Sequence, residues 1–276
     1  MLRSKMLSAA LALTLCVLLL TACSQPAATK TAITSPEDFK GHSIAVQTDT
    51  TAAYSANDMK AADSTIQVHE YEKVTQCFDD LKLGRVDAVY VDSVVAAYYT
   101  TGSEEYSRVW MSAEGEPMGI CLAKGSDKLA AAVEAAIDTL YYNGKMAEIA
   151  NKHFGEDATK GLRQVTEAPA IPSDFGTITA GKLLIGAEVG YPPMEYTTED
   201  GMTFIGFDID VGQAIGELLG LEVEVINTSW DGIFAGLEKG QYDCIISSVS
   251  ITPERQEAYI LTEPYISNAL CIVTKK

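Results

Sequence analysis

Short apolar runs alternate with amphipathic stretches along most of this chain. Residues 43–46, 86–91 and 182–186 have the length and apolar content of buried strands. Between such runs, apolar residues recur three or four positions apart, most clearly over 127–142 and 207–219. The first pattern is typical of strands buried on both faces, and the second is typical of amphipathic helices. Because strands that alternate with helices form parallel sheets covered by helices, we predict an α/β fold.

The residues most suited to binding follow one of these strands. The apolar run 242–246 is followed by serines at 247, 248 and 250, and then by Thr-Pro-Glu-Arg over 252–255. Threonine followed by proline is typical of a helix N-cap. The strand would therefore bring hydroxyls, free backbone N–H groups and Arg255 to one edge of a sheet. Such groups are suited to holding a small carboxylate.

The chain contains an internal repeat at a constant offset of 156 residues. Phe78, Leu81, Gly84 and Asp87, followed by a strand ending at Asp92, match Phe234, Leu237, Gly240 and Asp243, followed by a strand ending at Ser248. The alternative is a coincidence between two ordinary helix–turn–strand units. A true repeat predicts two similar lobes. Ligands of open α/β sheets bind at the carboxyl ends of strands, so Asp92 and Ser248 would face each other across a cleft.

The first 22 residues are predicted to be a targeting segment. Arg3 and Lys5 precede an apolar stretch over 6–20 that is too short to span a bilayer stably. Residues 20–23, Leu-Thr-Ala-Cys, resemble the lipobox of bacterial lipoproteins, which implies that Cys23 becomes a lipidated N-terminus. The alternative is an ordinary signal peptide with an incidental cysteine. In both cases we expect export, and with the lipid we expect attachment at the outer face of the cell membrane or facing the periplasm.

Charge and cysteine content exclude several classes of protein. Without Arg3 and Lys5 the chain has 18 basic and 38 acidic residues, a formal charge of −20, which argues against nucleic acid and against electrostatic binding to anionic lipid. The cysteines at 77, 121, 244 and 271 have no metal-ligand spacing, so we expect no metal site. We favour four free thiols; a disulfide between Cys121 and Cys271 is the alternative.

Two sets of motifs resemble one known family. Residues 181–275 resemble the first half of the extracellular solute-binding proteins for polar amino acids (family 3) of ABC transporters, through GAEVGYPPME at 186–195, GFDID at 206–210, SWDG at 229–232 and the stretch 242–255. Residues 35–155 resemble the second half, through Thr-Thr at 50–51, GRVDA at 84–88 and VDS at 91–93. The halves stand in reversed order, so the chain resembles a circular permutant.

The resemblance implies a two-lobed, periplasmic-binding-protein-like (type II) fold that closes on its ligand by hinge motion. We predict a tether at 23–34, one lobe at 35–118 and the other at 119–276, with a linker at 156–172 joining ends that are separate in the family. The chain would cross between lobes once, near Gly119, and the run 269–274 would pair beside residues 119–123. We expect a monomer; halves of two molecules paired by domain swapping are the alternative.

The resemblance also implies the binding residues. Arg255 would grip the ligand α-carboxylate, helped by Ser250, by the backbone near Ser248 and by Thr51 from the other lobe. Asp92 would take the α-ammonium, with a further contact from Ser248. Tyr191 and Trp230 would form the walls of the side-chain pocket, with packing between the lobes as the alternative role of both rings. Glu188 would contact the ligand side chain, and its charge would favour a polar or cationic ligand.

The implied function is a lipid-anchored receptor that passes an L-amino acid to an ABC permease in the membrane. It needs no catalysis and no cofactor. Two alternatives use the same fold: a dehydratase acting on carboxylated rings, in which Glu188 and Asp92 would be an acid/base pair, and a sensory or peptidoglycan-cleaving module.

Overall fold

The computed structural model describes residues 30–276; residues 1–29, which include the predicted signal peptide and Cys23, lie outside the described part. Residues Ile33–Lys276 form one compact unit. The predicted tether at 23–34 is therefore too long, because Ile33 is buried among the core residues of the first lobe. Within residues 30–276 no helix is long and apolar enough to cross a membrane.

The described chain alternates strands with helices, as its apolar pattern predicts. The strands are β1 Ser43–Gln47, β2 Gln67–Tyr71, β3 Ala88–Asp92, β4 Tyr106–Met111, β5 Glu116–Met118, β6 Cys121–Leu122, β7 Lys182–Ala187, β8 Tyr196–Thr197, β9 Phe204–Ile205, β10 Glu222–Asn227, β11 Cys244–Ile245, β12 Ile260–Leu261, β13 Ile266–Asn268 and β14 Leu270–Lys275. The α-helices are α1 Thr51–Ala62, α2 Val74–Lys82, α3 Ser93–Thr100, α4 Asp127–Tyr142, α5 Lys145–Phe154, α6 Phe207–Leu219, α7 Trp230–Glu238 and α8 Pro253–Ala258.

Two five-stranded sheets define two lobes, which confirms the predicted α/β, two-lobed fold. The first lobe has the strand order β2-β1-β3-β14-β4 and includes helices α1 to α3; the second has the order β10-β7-β11-β6-β12 and includes α4 to α8. In each sheet the first three strands are parallel and the last two are antiparallel to their neighbours. The two lobes therefore have the same topology.

The internal repeat corresponds to the same unit in both lobes. Gly84 follows α2 and Gly240 follows α7, each two residues after the helix ends. Their φ values of 68° and 67° are a left-handed conformation that glycine adopts without strain. The aspartates that follow tie neighbouring strands together: Asp87 accepts hydrogen bonds from the backbone N–H and hydroxyl of Ser43 at 2.8 and 2.9 Å. Asp243 accepts from the backbone N–H groups of Ile178 and Leu184 at 2.7 and 2.8 Å. The repeat is thus structural, and it places β3 and β11 in equivalent positions.

The chain crosses between the lobes at two adjacent strands, β5 and β13, which pair antiparallel with each other. The prediction that residues 269–274 pair beside 119–123 is wrong. After β13 the chain enters the first sheet, where β14 pairs with β3 on one side and β4 on the other. Residues 269–276 therefore belong to the first lobe, and the single crossing predicted near Gly119 is replaced by two.

The segment between α5 and β7 contains no helix or strand, and it is longer than the linker predicted at 156–172. Arg163 fixes its middle to the second lobe. The Arg163 guanidinium donates to Asp138 at 2.7 Å and also bonds Glu134. It donates to the backbone carbonyls of Glu263 and Pro264 as well, just before β13. The linker is therefore attached close to the crossing strands.

The four cysteines of the described chain, Cys77, Cys121, Cys244 and Cys271, are buried free thiols, as favoured from their spacing. Burial raises the pKa of each thiol, to about 12 for Cys121 and about 11 for Cys271. Because few of these thiols are ionised near neutral pH, they react poorly and act as small core side chains.

Deleting residues 269–276 should abolish cooperative folding. The deletion removes Cys271, Ile272 and Val273, which are fully buried between β3 and β4. The free-energy cost of losing several core side chains and two strand pairings exceeds the free energy of unfolding of a typical domain, which is roughly 5–15 kcal/mol. Thermal unfolding followed by circular dichroism tests this. Deleting Lys276 alone is the control, and a truncated protein with a normal cooperative transition would contradict the strand assignment.

Candidate ligand-binding site

All eight side chains predicted to bind ligand line one cleft between the lobes. They are Thr51 and Asp92 from the first lobe and Glu188, Tyr191, Trp230, Ser248, Ser250 and Arg255 from the second. The cleft lies at the carboxyl ends of β1, β3, β7 and β11, where open α/β sheets place ligands. Asp92 and Ser248, which the repeat predicts to face each other across a cleft, both line it.

Arg255 supplies positive charge to the cleft. It lies in the first turn of α8, whose N-cap Thr252 accepts a hydrogen bond from the Arg255 backbone N–H. The half-buried guanidinium stacks on the rings of Trp230 and Phe234 at 5.4 and 5.1 Å, and its Nη1 donates to the Ser250 carbonyl at 3.0 Å. Among residues 30–276 it forms no ion pair. The aromatic rings fix its orientation while its remaining donors stay available.

The N-terminus of α1 adds hydrogen-bond donors from the first lobe. Thr50 is the N-cap, and its hydroxyl accepts from the Ala53 backbone N–H at 3.1 Å. The backbone N–H groups of Thr51 and Ala52, in the first turn, have no intrahelical acceptor, and both residues line the cleft. A helix N-terminus with unpaired N–H groups favours an anion.

Asp92 supplies the opposite charge. Tyr191 donates its hydroxyl to Asp92 Oδ2 across the cleft, and Asn268 donates to Asp92 Oδ1 at 2.6 Å. The same Asn268 amide also reaches Glu116 Oε2 at 3.2 Å. Burial, with the nearby Glu116 charge, raises the pKa of Asp92 to about 7, and the two hydrogen bonds partly oppose that shift. A cation placed beside Asp92 would favour its ionised form.

Glu188 lies in the second lobe and forms a hydrogen bond with Gln47 of the first lobe. Its side chain is 4% exposed, and its Oε2 accepts from Gln47 Nε2 at 2.8 Å. Its other oxygen, Oε1, is buried without a hydrogen-bond partner. Burial raises the pKa of Glu188 to about 7. The carboxyl group thus has one oxygen free to contact a ligand.

Trp230 and Tyr191 close the cleft from the second lobe. Trp230 Nε1 donates to the backbone carbonyl of Asp49 at 3.0 Å, and Asp49 has a φ of 57°. Together with the Gln47–Glu188 and Tyr191–Asp92 bonds, this contact joins the lobes over a cavity of about 30 Å³. Such a volume holds about two water molecules. The lobes therefore have to separate to admit a ligand larger than water.

The role predicted for the Ser248 backbone needs correction. Ser248 has a φ of 51°, and its backbone N–H donates to Asp208 Oδ2 at 2.8 Å rather than being free for a carboxylate. Its hydroxyl approaches the same oxygen at 3.4 Å. Asp208 lies in the first turn of α6 and is 1% exposed. It therefore holds the left-handed turn that presents residues 247–250 to the cleft.

Sequence reasoning missed several residues around the cleft. Gln47 and Glu195 line the cleft. The Ser247 hydroxyl accepts a hydrogen bond from the Glu188 backbone N–H and donates one to the Glu195 carboxyl group. Asn268 donates a hydrogen bond to Asp92. Gln47 and Ser247 could have been inferred, because each ends or follows a strand whose neighbours bear predicted site residues. Asn268 could not, since its position depends on how β13 and β14 pair.

The charged groups of the cleft indicate what it can bind. Within residues 30–276 no group of three or more His, Cys, Asp or Glu side chains is placed to hold a metal ion. The cleft instead offers a cation and helix N–H groups on one side and a buried carboxyl group on another. A small zwitterion has the complementary charges.

Comparison with known proteins extends these observations. Residues 183–276 match the family model of the bacterial extracellular solute-binding proteins, family 3. The chain is 30% identical over 132 residues to the L-cystine-binding protein TcyJ of Escherichia coli (strain K12), covering 45% of this chain and 49% of that protein. It is 33% identical over 102 residues to the ABC transporter arginine-binding protein 1 of the same strain, covering 37% of this chain and 42% of the relative.

A further relative is an enzyme. Cyclohexadienyl dehydratase of Pseudomonas aeruginosa is 31% identical over 97 residues, which cover 35% of this chain and 36% of the enzyme. The chain thus spans about half the length, or less, of the curated relatives it matches. Residues 183–276, which carry the cleft residues from Glu188 to Arg255, are thus similar to the bacterial extracellular solute-binding proteins, family 3.

Proposed function

We propose that this protein captures a polar or cationic L-amino acid by closure of its two lobes and delivers it to an ABC permease. One observation carries the proposal. Arg255 is half-buried without an ion-pair partner among residues 30–276, and it lines the same cleft as Asp92, whose pKa burial raises. A cation and a carboxyl group held apart in one cleft are complementary to the two ends of an amino acid.

The α-carboxylate of the ligand binds the Arg255 guanidinium, which can donate two parallel hydrogen bonds to a carboxylate. The N-terminal N–H groups of α1, with Thr51, contact it from the first lobe, and Ser250 contacts it from the second. The α-ammonium binds Asp92. Since Tyr191 already bonds Asp92 across the cleft, its hydroxyl is placed to contact the ligand as well.

Closure follows from the position of the crossing strands. β5 and β13 form a two-stranded ribbon that joins the lobes, and Tyr191, Trp230 and Glu188 each reach the opposite lobe. A ligand that contacts Arg255 and Asp92 together bridges the lobes and stabilises the closed state. This is the hinge closure by which two-lobed binding proteins enclose a ligand.

Ligand class is supported by charge and by the relatives. The named relatives include an L-cystine-binding and an arginine-binding protein. The carboxyl group of Glu188 faces the cleft with an unpartnered oxygen, which favours a ligand whose side chain donates hydrogen bonds or carries positive charge. Asp49, whose backbone carbonyl accepts from Trp230 Nε1, adds a negative charge near the cleft.

The dehydratase alternative rests on one relative and on two carboxyl groups, Glu188 and Asp92, with pKa near 7. Such groups can act as general acid or base. We favour binding because an ammonium at Asp92 and a donor at Glu188 account for both carboxyl groups without a reaction.

Ligand binding should raise the melting temperature of the protein, and Arg255→Ala should abolish the effect. Losing a bidentate, charge-assisted contact costs about 3 kcal/mol, or about a hundredfold in Kd. Thermal shift against the twenty amino acids, followed by calorimetric titration of the hits, measures both. Arg85→Ala, an exposed arginine on the far side of the first lobe, is the control. The proposal fails if no amino acid binds, or if the Arg255 variant binds normally.

We also propose that Cys23 carries a lipid anchor, that the chain is a monomer, and that its halves are circularly permuted relative to the family. The permutation is supported by a family match confined to residues 183–276 although both lobes share one topology.

For the anchor, metabolic labelling with palmitate in a bacterial host should mark the wild type and not Cys23→Ser. Equal labelling of the wild type and the Cys23→Ser variant, or no labelling of the wild type, would contradict the lipid anchor.

A further inference from the structure

Two carboxyl groups, Glu195 and Asp208, are buried next to the turn 247–250, and each residue is 1% exposed. The backbone brings them together, because the segment before β8 crosses the N-terminus of α6. There the backbone N–H of Asp208 donates to the Met194 carbonyl at 2.9 Å. Gly206 permits the crossing, since a Cβ atom at that position would overlap the Met194 carbonyl group. The two carboxyl groups, held close in this way, share a side-chain hydrogen bond.

A hydrogen bond between two carboxyl groups requires one proton, because ionised carboxylates only accept. Asp208 accepts from the Ser248 backbone N–H and from the Tyr265 hydroxyl, both at 2.8 Å. It also lies in the first turn of α6, where the helix dipole favours negative charge. Within the described chain, the Glu195 carboxyl group accepts one such bond, from the Ser247 hydroxyl at 2.6 Å. These contacts favour the charge on Asp208 and the proton on Glu195.

The titratable groups that face the pair supply no cation. Glu195 faces Glu188, which follows β7, and the hydroxyl of Tyr191. Both carboxyl groups face the hydroxyl of Tyr265, just before β13. Neither Glu195 nor Asp208 forms an ion pair with another residue of the described chain. Two adjacent buried carboxylates without a cation repel each other, so one proton between them is the stable arrangement.

The pKa values of the two groups agree with this arrangement. Burial raises the pKa of Glu195 well above its usual range, and the charge of Asp208 adds to the rise. Burial also raises the pKa of Asp208, but the hydrogen bonds that it accepts, chiefly from Tyr265, oppose that rise. The environment of the pair therefore separates the two groups into one acid and one carboxylate.

The pair holds the turn that presents binding residues to the cleft. It binds both residues at the start of the turn, Ser247 through its hydroxyl and Ser248 through its backbone N–H. Ser248 has a φ of 51°, a left-handed conformation that is uncommon outside glycine and that surrounding contacts have to maintain. At the end of the turn, the Ser250 carbonyl accepts from the Arg255 guanidinium at 3.0 Å. The position of Arg255 therefore depends on the turn.

We propose that Glu195 and Asp208 share a single proton, and that this carboxyl pair positions the turn 247–250 and, through it, Arg255. When the proton passes from the Glu195 carboxyl group to solvent, two adjacent buried carboxylates remain, and their repulsion releases the turn. Glu195 and Asp208 act through the turn, so they are positioning residues. Their effect on ligand binding rests on the proposed function, whereas the shared proton does not.

The shared proton makes the stability of the protein depend on pH. Near neutral pH the folded protein keeps a proton on Glu195 that the unfolded chain, with an ordinary glutamate pKa, has lost. Its stabilising effect is complete below the unfolded pKa and is lost as pH rises through the raised pKa of the folded protein. Between these two values, this one proton makes the unfolding equilibrium constant rise about tenfold per pH unit.

Glu195→Gln tests the location of the proton, because a glutamine amide can donate to Asp208 and accept from Ser247 as a protonated glutamate does. Urea unfolding between pH 5 and pH 8 measures the unfolding constant without any ligand. The pH dependence of this constant should be weaker in the variant than in the wild type, by a factor of about ten per pH unit. The other buried carboxyl groups titrate in both proteins. Glu199→Gln, the same substitution at an exposed position between β8 and β9, is the control and should keep the wild-type dependence.

Infrared spectra detect the proton directly, because the carbonyl stretch of a protonated carboxyl group lies apart from the bands of a carboxylate. At pH 8 the wild type should show such a band, and Glu195→Gln should lack it. Asp92 and Glu188, with pKa values of about 7, are largely ionised at that pH. The difference between the two spectra therefore reports on Glu195.

Asp208→Asn should be more damaging than Glu195→Gln. The asparagine amide presents its NH₂ group to one of the two donors, Ser248 N–H or the Tyr265 hydroxyl, and leaves that donor unpaired. We expect the unfolding constant of this variant to rise about tenfold or more. Calorimetric titration of the folded variant with the twenty amino acids should show similarly weaker binding of those that the wild type binds.

An unchanged pH dependence or an unchanged infrared spectrum in Glu195→Gln would overturn the shared proton. So would a Glu195→Gln protein that fails to fold, or one that is less stable than Asp208→Asn at neutral pH. Normal amino acid binding by folded Asp208→Asn would overturn the positioning role. If the wild type binds no amino acid, the proposed function fails, whereas the unfolding and infrared results still decide the shared proton.

Discussion

Each lobe of this protein is completed by a strand that the chain carries in from the other lobe. β6 enters the second sheet directly after β5, and β14 enters the first sheet directly after β13, while β5 and β13 pair with each other. The pair that connects the lobes is therefore also the pair that positions one strand in each core. Asn268, the last residue of β13, bonds Asp92, so the connection between the lobes extends into the cleft.

The cleft concentrates carboxyl groups that would be unfavourable in an ordinary core. Asp208 is fully hydrogen-bonded and fixes the left-handed turn at Ser248, which is a structural role. Asp92 and Glu188 each bond a residue of the opposite lobe and have pKa near 7 because they are buried. Glu195 shares a side-chain hydrogen bond with Asp208, and burial raises the pKa of Glu195 well above its usual range. Among these carboxyl groups of the described chain, Glu188 therefore keeps an oxygen without a partner, and it lines the same cleft as Arg255.

The sequence predicted the parts of this structure that depend on local pattern. Alternating strands and helices, the helix N-cap at Thr252 and the repeated glycine–aspartate turns are all present, because each depends on residues close together in the chain. The partner of β14 was predicted wrongly, since apolar residues alone do not specify which strand lies beside an edge of a sheet. The contacts of Asn268 with Asp92 and of Asp208 with Ser248 were missed for the same reason: they join residues far apart in sequence. Resemblance to the family assigned roles to Arg255 and Asp92, and the structure places both in one cleft.

A crystal structure of the protein grown with L-arginine tests the central claim most directly. The account predicts one amino acid enclosed between the lobes, with its carboxylate on the Arg255 guanidinium and the N-terminus of α1 and its ammonium on Asp92. Density for the ligand outside the cleft, or within it but without contact to Arg255 and Asp92, would contradict the account.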